Sequence, residues 1–139
     1  MENDDYPVFM EDKFKGLSYG EVWEKLDDCK NPDEEIEIYQ KMVELGEEFI
    51  PDDLDLYAAP LDNLAGCYMK RNEYAKAVPL LERALLLYRI QEFNDSDFAY
   101  QRCNALKKMV ECQKELGNKT LANLYEHELR LLEANSLTN

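Results

Sequence analysis

Long apolar runs, glycine, proline and histidine are scarce in this chain of 139 residues. It contains five glycines, five prolines and a single histidine, His127. No apolar run approaches the ~20 residues that span a bilayer, so we expect no membrane partner. The N-terminus, MENDDYPVFMEDKF, is acidic and lacks the apolar core of a signal peptide. Few helix breakers, with Leu, Ala, Glu and Lys abundant, favour an all-α protein.

Positive charge is also scarce, because 16 basic residues stand against 30 acidic ones, a formal net charge of −14. Residues 1–56 hold 19 of the acidic and five of the basic residues, so the whole imbalance lies there. Binding to a nucleic-acid backbone needs a positive surface, so we expect no nucleic-acid partner. A basic protein or peptide is easier to accommodate, although an acidic surface that only maintains solubility is an equal alternative.

The four cysteines include no CxxC pair, and one histidine cannot complete a zinc site with them. We therefore expect no metal or cofactor, free thiols and a reducing, cytoplasmic location. Cys67 has no histidine near it in sequence to act as a base, and His127 is expected on the surface. The chain has no phosphate-binding glycine loop and no GxSxG motif, so we do not expect an enzyme.

One pattern of apolar spacing recurs three times, at offsets of 42 and 45 residues. Positions i, i+3, i+4 and i+7 share one face of a helix. A recurring pair of helices is typical of a solenoid. We predict an acidic tail over 1–16 and one repeat domain over 17–139, with units of about 17–49, 57–93 and 97–135. The recurring positions are Tyr19, Val22, Trp23 and Leu26; Leu61, Leu64, Ala65 and Tyr68; and Leu106, Met109, Val110 and Gln113.

Local signals predict where the helices begin and end. Asn31 suits an N-cap and Pro32 the first helical position, so a second helix should start there and reach about Phe49. Asn72 indicates the turn of the second unit. Gly117 suits the position after a helix end, and Asn118 is expected to cap the last helix.

The stretch LDNLAGCYMKRNEYAKAVPLLERAL, residues 61–85, resembles a tetratricopeptide repeat in its long-helix, kinesin-light-chain-like style. The closing proline of that pattern is absent, since Arg89 stands in its place, and the match is specific only over 61–88. The resemblance implies a right-handed superhelical array of about three antiparallel helix pairs. Gln113 and Glu126 would then lie on the solvated face of a terminal unit. The matching positions are Leu61, Leu64, Ala65, Tyr68, Ala77, Leu81 and Ala84.

The resemblance also implies a concave groove, lined by the first helix of each unit, that binds a protein or peptide. We expect an extended or helical peptide with its basic part toward the N-terminal end, where the lining is acidic. Trp23, on the recurring apolar face, is expected in the core, with an exposed binding residue as the alternative. The groove residues are predicted to be Glu21, Glu24, Asp28, Asp62, Asn63, Met69, Lys70, Asn104, Lys107, Lys108 and Glu111.

The sequence thus indicates a non-catalytic interaction module, either an adaptor or a subunit of a larger assembly. An alternative is a client-specific chaperone or inhibitor that shields a basic partner with its acidic N-terminal part. Some tetratricopeptide repeats clamp the terminal carboxylate of a chaperone, and Asn63 and Lys108 match two clamp positions. Glu21 stands where that clamp needs Asn, and like charges would oppose such a ligand. Self-association is a further alternative.

Overall fold

The computed structural model describes residues 12–138, apart from the side chains of Ser96 and of residues 136–138. This part of the chain is helical and contains no strand, so the all-α prediction is confirmed. Short 3-10 turns occur over Lys25–Asp28, Glu47–Phe49 and Ser96–Phe98. The α-helices are α1 (Tyr19–Glu24), α2 (Pro32–Gly46), α3 (Asp55–Lys70), α4 (Tyr74–Asn94), α5 (Ala99–Glu115) and α6 (Lys119–Thr138).

Side-chain caps begin the first two helices. The Ser18 hydroxyl accepts a hydrogen bond from the Glu21 amide at 3.2 Å, and the Glu21 carboxylate accepts one from the Ser18 amide at 2.9 Å. These two bonds form a capping box. The Asn31 side chain accepts a 2.8 Å bond from the Glu34 amide, with Pro32 at the first helical position. The predicted start of the second helix is therefore confirmed.

Two tight turns join the helices within the second and third pairs. Asn72 and Gly117 have φ angles of 60° and 79°, in the left-handed region. The Glu73 amide donates to the Tyr68 carbonyl at 2.9 Å, and the Asn118 amide donates to the Gln113 carbonyl at 2.8 Å. Each bond joins residues five apart around a residue in the left-handed conformation, which is the pattern of a Schellman motif. It satisfies a carbonyl near the end of α3 or α5. Both predicted turns are therefore confirmed.

The helices pack in chain order. Each one contacts the next, and α3 also contacts α5 across the intervening α4. Three residues connect α3 to α4 and α5 to α6, four connect α4 to α5 and seven connect α1 to α2, so connection length alone does not divide the helices into pairs. Six helices packed against their neighbours are consistent with the predicted repeats.

The main core lies among α3, α4, α5 and α6. Leu61, Leu81, Leu85 and Leu106 are each at most 1% exposed there, and Ala77 and Ala84 let the helices approach closely. Truncating one such leucine to alanine costs about 2–5 kcal/mol in a packed core. The second and third units are thus held by one continuous apolar interior.

A smaller core joins α1 to α2 and includes part of the segment before them. Val22 and Ile38 are fully buried, and Phe14 packs against them. Lys41 of α2 lies 2.7 Å from the Asp12 carboxylate, which adds an ion pair to that contact. Residues 12–16 of the predicted tail therefore lie against α2, and the rest of that tail, residues 1–11, lies outside the described residues.

Helices α2 and α3 approach each other closely at Gly46, the last residue of α2. A Cβ atom added there would collide with the Leu56 carbonyl and would come within 3.0 Å of the Tyr57 Cα. Backbone atoms cannot rotate away as a flexible side chain can. Gly46 therefore sets how closely the first helix pair meets the second.

The prediction that Trp23 lies in the core is wrong, because its side chain is 61% exposed. Helix α1 has six residues, and within residues 12–138 α2 is the only α-helix whose backbone packs closely against it. Successive helical residues point about 100° apart, so when Val22 faces α2, Trp23 points to the side of α1, where most of its ring lies in solvent. The equivalent Ala65 and Val110 are buried because α3 and α5 each have helices on two sides.

The prediction that Gln113 lies on a solvated face is also wrong, because it is 3% exposed. The side-chain oxygen Oε1 of Gln113 accepts a 2.8 Å hydrogen bond from the side-chain amide of Asn118. The polar side chain of Gln113 thus stabilises the turn between α5 and α6 through its hydrogen bond to Asn118. Glu126 is half-buried and lies 3.0 Å from Arg130 and 3.5 Å from Lys114.

Candidate functional site

A pocket of about 200 Å³ lies where α1, α2 and α3 meet, and we call it the aromatic pocket. Three of its side chains are aromatic, five are aliphatic or thioether, and two are polar. One of the lining residues is Trp23, the only tryptophan of the chain, and it is exposed. Its lining residues are Tyr19, Trp23, Leu26, Tyr39, Met42, Asp55, Leu56, Ala59, Pro60 and Asn63.

Helical spacing brings these side chains together. Tyr19 and Trp23 are four residues apart on α1, and residues at this spacing lie one above the other. Asp55, Ala59 and Asn63 repeat the same spacing along α3. Ala59 is small, so it leaves room for a cavity between α3 and the aromatic rings. The pocket therefore follows from the helix register and from one small residue at its floor.

The Tyr19 ring is held in place from behind. Phe49 packs against it edge to face, with ring centroids 6.1 Å apart. Such an arrangement is favourable for two aromatic rings and restricts their rotation. Trp23 makes no comparable ring contact with residues 12–138 and is more than half exposed, so the two rings that α1 contributes differ in how firmly they are held.

The electrostatic character of the pocket is negative. Burial raises the pKa of Asp55, and the neighbouring carboxylate of Asp53 raises it further. Burial also raises the pKa of Tyr19 to about 12, with Asp55 and Asp53 contributing. Asp55 forms no ion pair with any residue in 12–138, and no basic side chain lines the pocket. A partly buried carboxylate in such surroundings favours a cation beside it.

The predicted groove residues occupy three kinds of position. Only Asn63 lines the aromatic pocket. Asp62 is buried, while Met69, Asn104 and Lys108 are half-buried. The remaining six are exposed: Glu21, Glu24, Asp28, Lys70, Lys107 and Glu111. Their role in binding stays a prediction.

Asp62 and Lys108 are bonded to each other. The Lys108 ammonium lies 2.6 Å from one Asp62 oxygen, and the Tyr88 hydroxyl donates to the other at 3.0 Å. Burial, with the Asp62 charge beside it, raises the pKa of Tyr88. The cluster connects α3, α4 and α5, so a ligand of Asp62 or Lys108 would have to compete with an internal ion pair.

The first unit has its own acidic surface. Glu21, Glu24 and Asp28 lie with Leu17 and Lys25 around a shallow cavity of about 230 Å³. This cavity is open, and its polar side chains are in water. The three carboxylates therefore act as a surface field near α1 and not as a buried site.

Cys67 and His127 are the two residues that the sequence analysis considered for catalysis. The Cys67 thiol donates a 3.0 Å hydrogen bond to Glu35, and burial raises its pKa to about 12. Such a thiol is protonated at neutral pH and is a poor nucleophile. His127 is exposed on α6. Within the described chain, no three His, Cys, Asp or Glu side chains are placed to hold a metal ion.

Further apolar side chains are exposed on the second helix of two units. On α4, Leu86, Ile90 and Phe93 follow a helical spacing and are 55%, 45% and 92% exposed. On α6, Leu124 and Leu131 are 60% and 54% exposed. Surfaces of this kind occur where a further helix or a second copy packs. Self-association remains a prediction.

Neither family models, nor curated proteins, nor solved structures give a significant match to this chain. Among the helices of residues 12–138, none has the length and apolar character needed to cross a bilayer.

Proposed function

We propose that this chain is a non-catalytic protein-interaction module of the tetratricopeptide-repeat type. It binds a peptide or a segment of a protein along the surface formed by α1, α3 and α5, the first helices of its three pairs. In this proposal the pairs stack as a right-handed superhelix, and the chain acts as an adaptor or as a subunit of a larger assembly.

The observation that carries the proposal is the aromatic pocket, whose lining includes the exposed Trp23. Leaving a tryptophan 61% exposed forgoes the burial that a large apolar ring favours. Tryptophan and tyrosine dominate the residues whose truncation weakens protein interfaces most. A pocket with these rings on two walls supports the binding of an inserted side chain.

Charge supports a basic segment as the ligand. The exposed carboxylates of Glu21, Glu24 and Asp28 lie on the same helix as Trp23 or in the turn after it. Exposed Lys70 and Lys107 lie on α3 and α5. A segment with its basic part beside α1 and its acidic part toward α5 would match this distribution. The four free cysteines support the cytoplasm as its location.

A peptide array tests the proposal. Immobilised peptides of varied sequence but equal net positive charge are probed with the full chain and with Trp23→Ala. We expect a defined subset of peptides to bind, and Trp23→Ala to weaken them by about tenfold or more, as truncation of a central aromatic residue does.

Phe93→Ala is the matched control, since Phe93 is 92% exposed but lies on α4, away from the pocket. It should leave the same peptides bound. If all of these peptides instead bind alike, are released at high salt and bind the Trp23→Ala variant equally well, the acidic-shield alternative is favoured. An array with no bound peptide would contradict both proposals.

A further inference from the structure

We propose that the aromatic pocket takes an alkylammonium group, the end of a lysine or methylated lysine side chain from the bound segment. This inference rests on the proposed function, because it names the group by which the segment is anchored. It commits to a cation where the proposed function requires only an inserted side chain.

The size of the pocket favours one side chain. Its volume is about 200 Å³, below the ~300–1,000 Å³ typical of small-molecule sites. Trp23 and Asn63 of the lining are exposed to solvent, so a chain lying along α1 and α3 could enter the pocket with one residue. A free cofactor or metabolite would find too little enclosed surface.

The aromatic walls favour a cation over a neutral group. Tyr19, Trp23 and Tyr39 come from two helices and line the same cavity. The face of an aromatic ring attracts a cation within about 6 Å, and tryptophan is the best of the three ring types. Several rings around one cavity are the arrangement that proteins use for methylated ammonium groups.

Asp55 supplies the opposite charge. It stands in the first turn of α3, lines the pocket, and lacks an ion pair with any described residue. Its carboxylate is partly removed from water, so a ligand cation would restore the partner that water provides elsewhere. Asp53 lies close enough to affect the same carboxyl group and adds to the negative potential.

The apolar part of the pocket lining favours a ligand whose charged nitrogen carries methylene or methyl groups. Apart from Asn63, the remaining side chains, which are Leu26, Met42, Leu56, Ala59 and Pro60, offer no hydrogen-bonding group except the weakly accepting thioether. An arginine guanidinium has five N–H donors to satisfy, and this wall could satisfy few of them. Methylene or methyl groups around a single positive nitrogen suit it better.

The test uses three small probes that differ only at the end of the side chain. They are Nα-acetyl-lysine methylamide, with a free side-chain ammonium, and the same molecule with trimethyllysine or norleucine in place of lysine. The full chain is titrated at constant ionic strength, and the methyl resonance of Met42 in the pocket wall is followed by NMR. We expect a saturable shift with at least one of the two cationic probes. Norleucine, which is neutral and of similar length, should bind on the order of tenfold more weakly.

Two variants separate the pocket from general electrostatics. Asp55→Asn keeps the shape of the side chain and should weaken the cationic probe on the order of tenfold. Asp97→Asn removes an exposed carboxylate outside the pocket and should leave binding unchanged. Circular dichroism of each variant checks that its helices are intact.

The relative affinity of lysine and trimethyllysine distinguishes the two sources of the group. Norleucine binding as tightly as both cations, no saturable shift with any probe, or an Asp55→Asn variant with unchanged affinity would each overturn the inference. Because these probes need no partner protein, their failure leaves the peptide-array result standing as a separate test of the proposed function.

Discussion

Replacing Gly46 with alanine should destabilise the protein, although alanine normally stabilises a helix. The helix-propensity gain is at most ~1 kcal/mol. Against it stands a collision of the new Cβ with the Leu56 carbonyl and a 3.0 Å approach to the Tyr57 Cα. Because these are backbone atoms, α2 and α3 must move apart, and buried Tyr57 and Ala58 lose contacts. Overpacking of this kind costs roughly 1–3 kcal/mol.

Gly20→Ala in α1 is the matched control, because a Cβ there has no neighbour within 4 Å. Urea unfolding followed by circular dichroism should give Gly46→Ala a lower free energy of unfolding than wild type, and Gly20→Ala an equal or higher one. For a chain of this size the thermal midpoint of Gly46→Ala should fall by roughly 3–12 °C. A Gly46→Ala variant as stable as Gly20→Ala would refute the close approach of α2 and α3.

Three further predictions concern the ion pair, the buried thiol and the groove. Lys108→Met leaves the Asp62 carboxylate without its cation and should cost about 1–3 kcal/mol, and adding Asp62→Asn should recover part of this loss. Fully additive losses in urea unfolding would argue against the pair. Burial raises the pKa of Cys67 from 9.0 to about 12, so unfolded chains release this proton first and stability should fall as pH rises above about 9. Cys67→Ala should make that decline shallower, and an unchanged slope would contradict the burial argument. Lys107→Glu should weaken a bound peptide in calorimetry while Lys119→Glu does not, and equal affinities would place the peptide elsewhere.

Much of the fold was predictable because its signals are local. Apolar spacing places Leu61, Leu106 and Met109 on buried faces, and caps such as Asn31 act within one helical turn. Turn residues such as Gly117 are recognisable because the turn needs a left-handed backbone conformation, which glycine adopts readily. None of these signals needs knowledge of which helix lies next to which.

The site was harder to predict because it depends on neighbours. Trp23 has the same spacing as Ala65, but α1 has a helix on one side where α3 has two, so Trp23 stays exposed. Asp55 lies outside the repeat pattern, and only the meeting of α1, α2 and α3 brings it beside the aromatic rings. The isolated tryptophan beside an acidic stretch was the one signal in the sequence that could have indicated the pocket.

The pairing of Asp62 with Lys108 was likewise beyond reach of the sequence. Forty-six positions separate the two residues, and each carries a charge suited to a groove. Charge alone does not tell an internal ion pair from a free binding group. The distinction required the distance between α3 and α5.

The short length of helix α1 has a consequence for how fast its backbone amides exchange with solvent. An isolated helix shorter than ~12–15 residues is marginal in water, and among the described α-helices only α2 packs its backbone closely against this six-residue helix. Its amides should therefore exchange with deuterium faster than those of α3 or α5, by local opening instead of global unfolding. Since α1 carries two of the three aromatic rings, the pocket would open and close on its own timescale. A ligand that engages Trp23 should then slow exchange in α1 first.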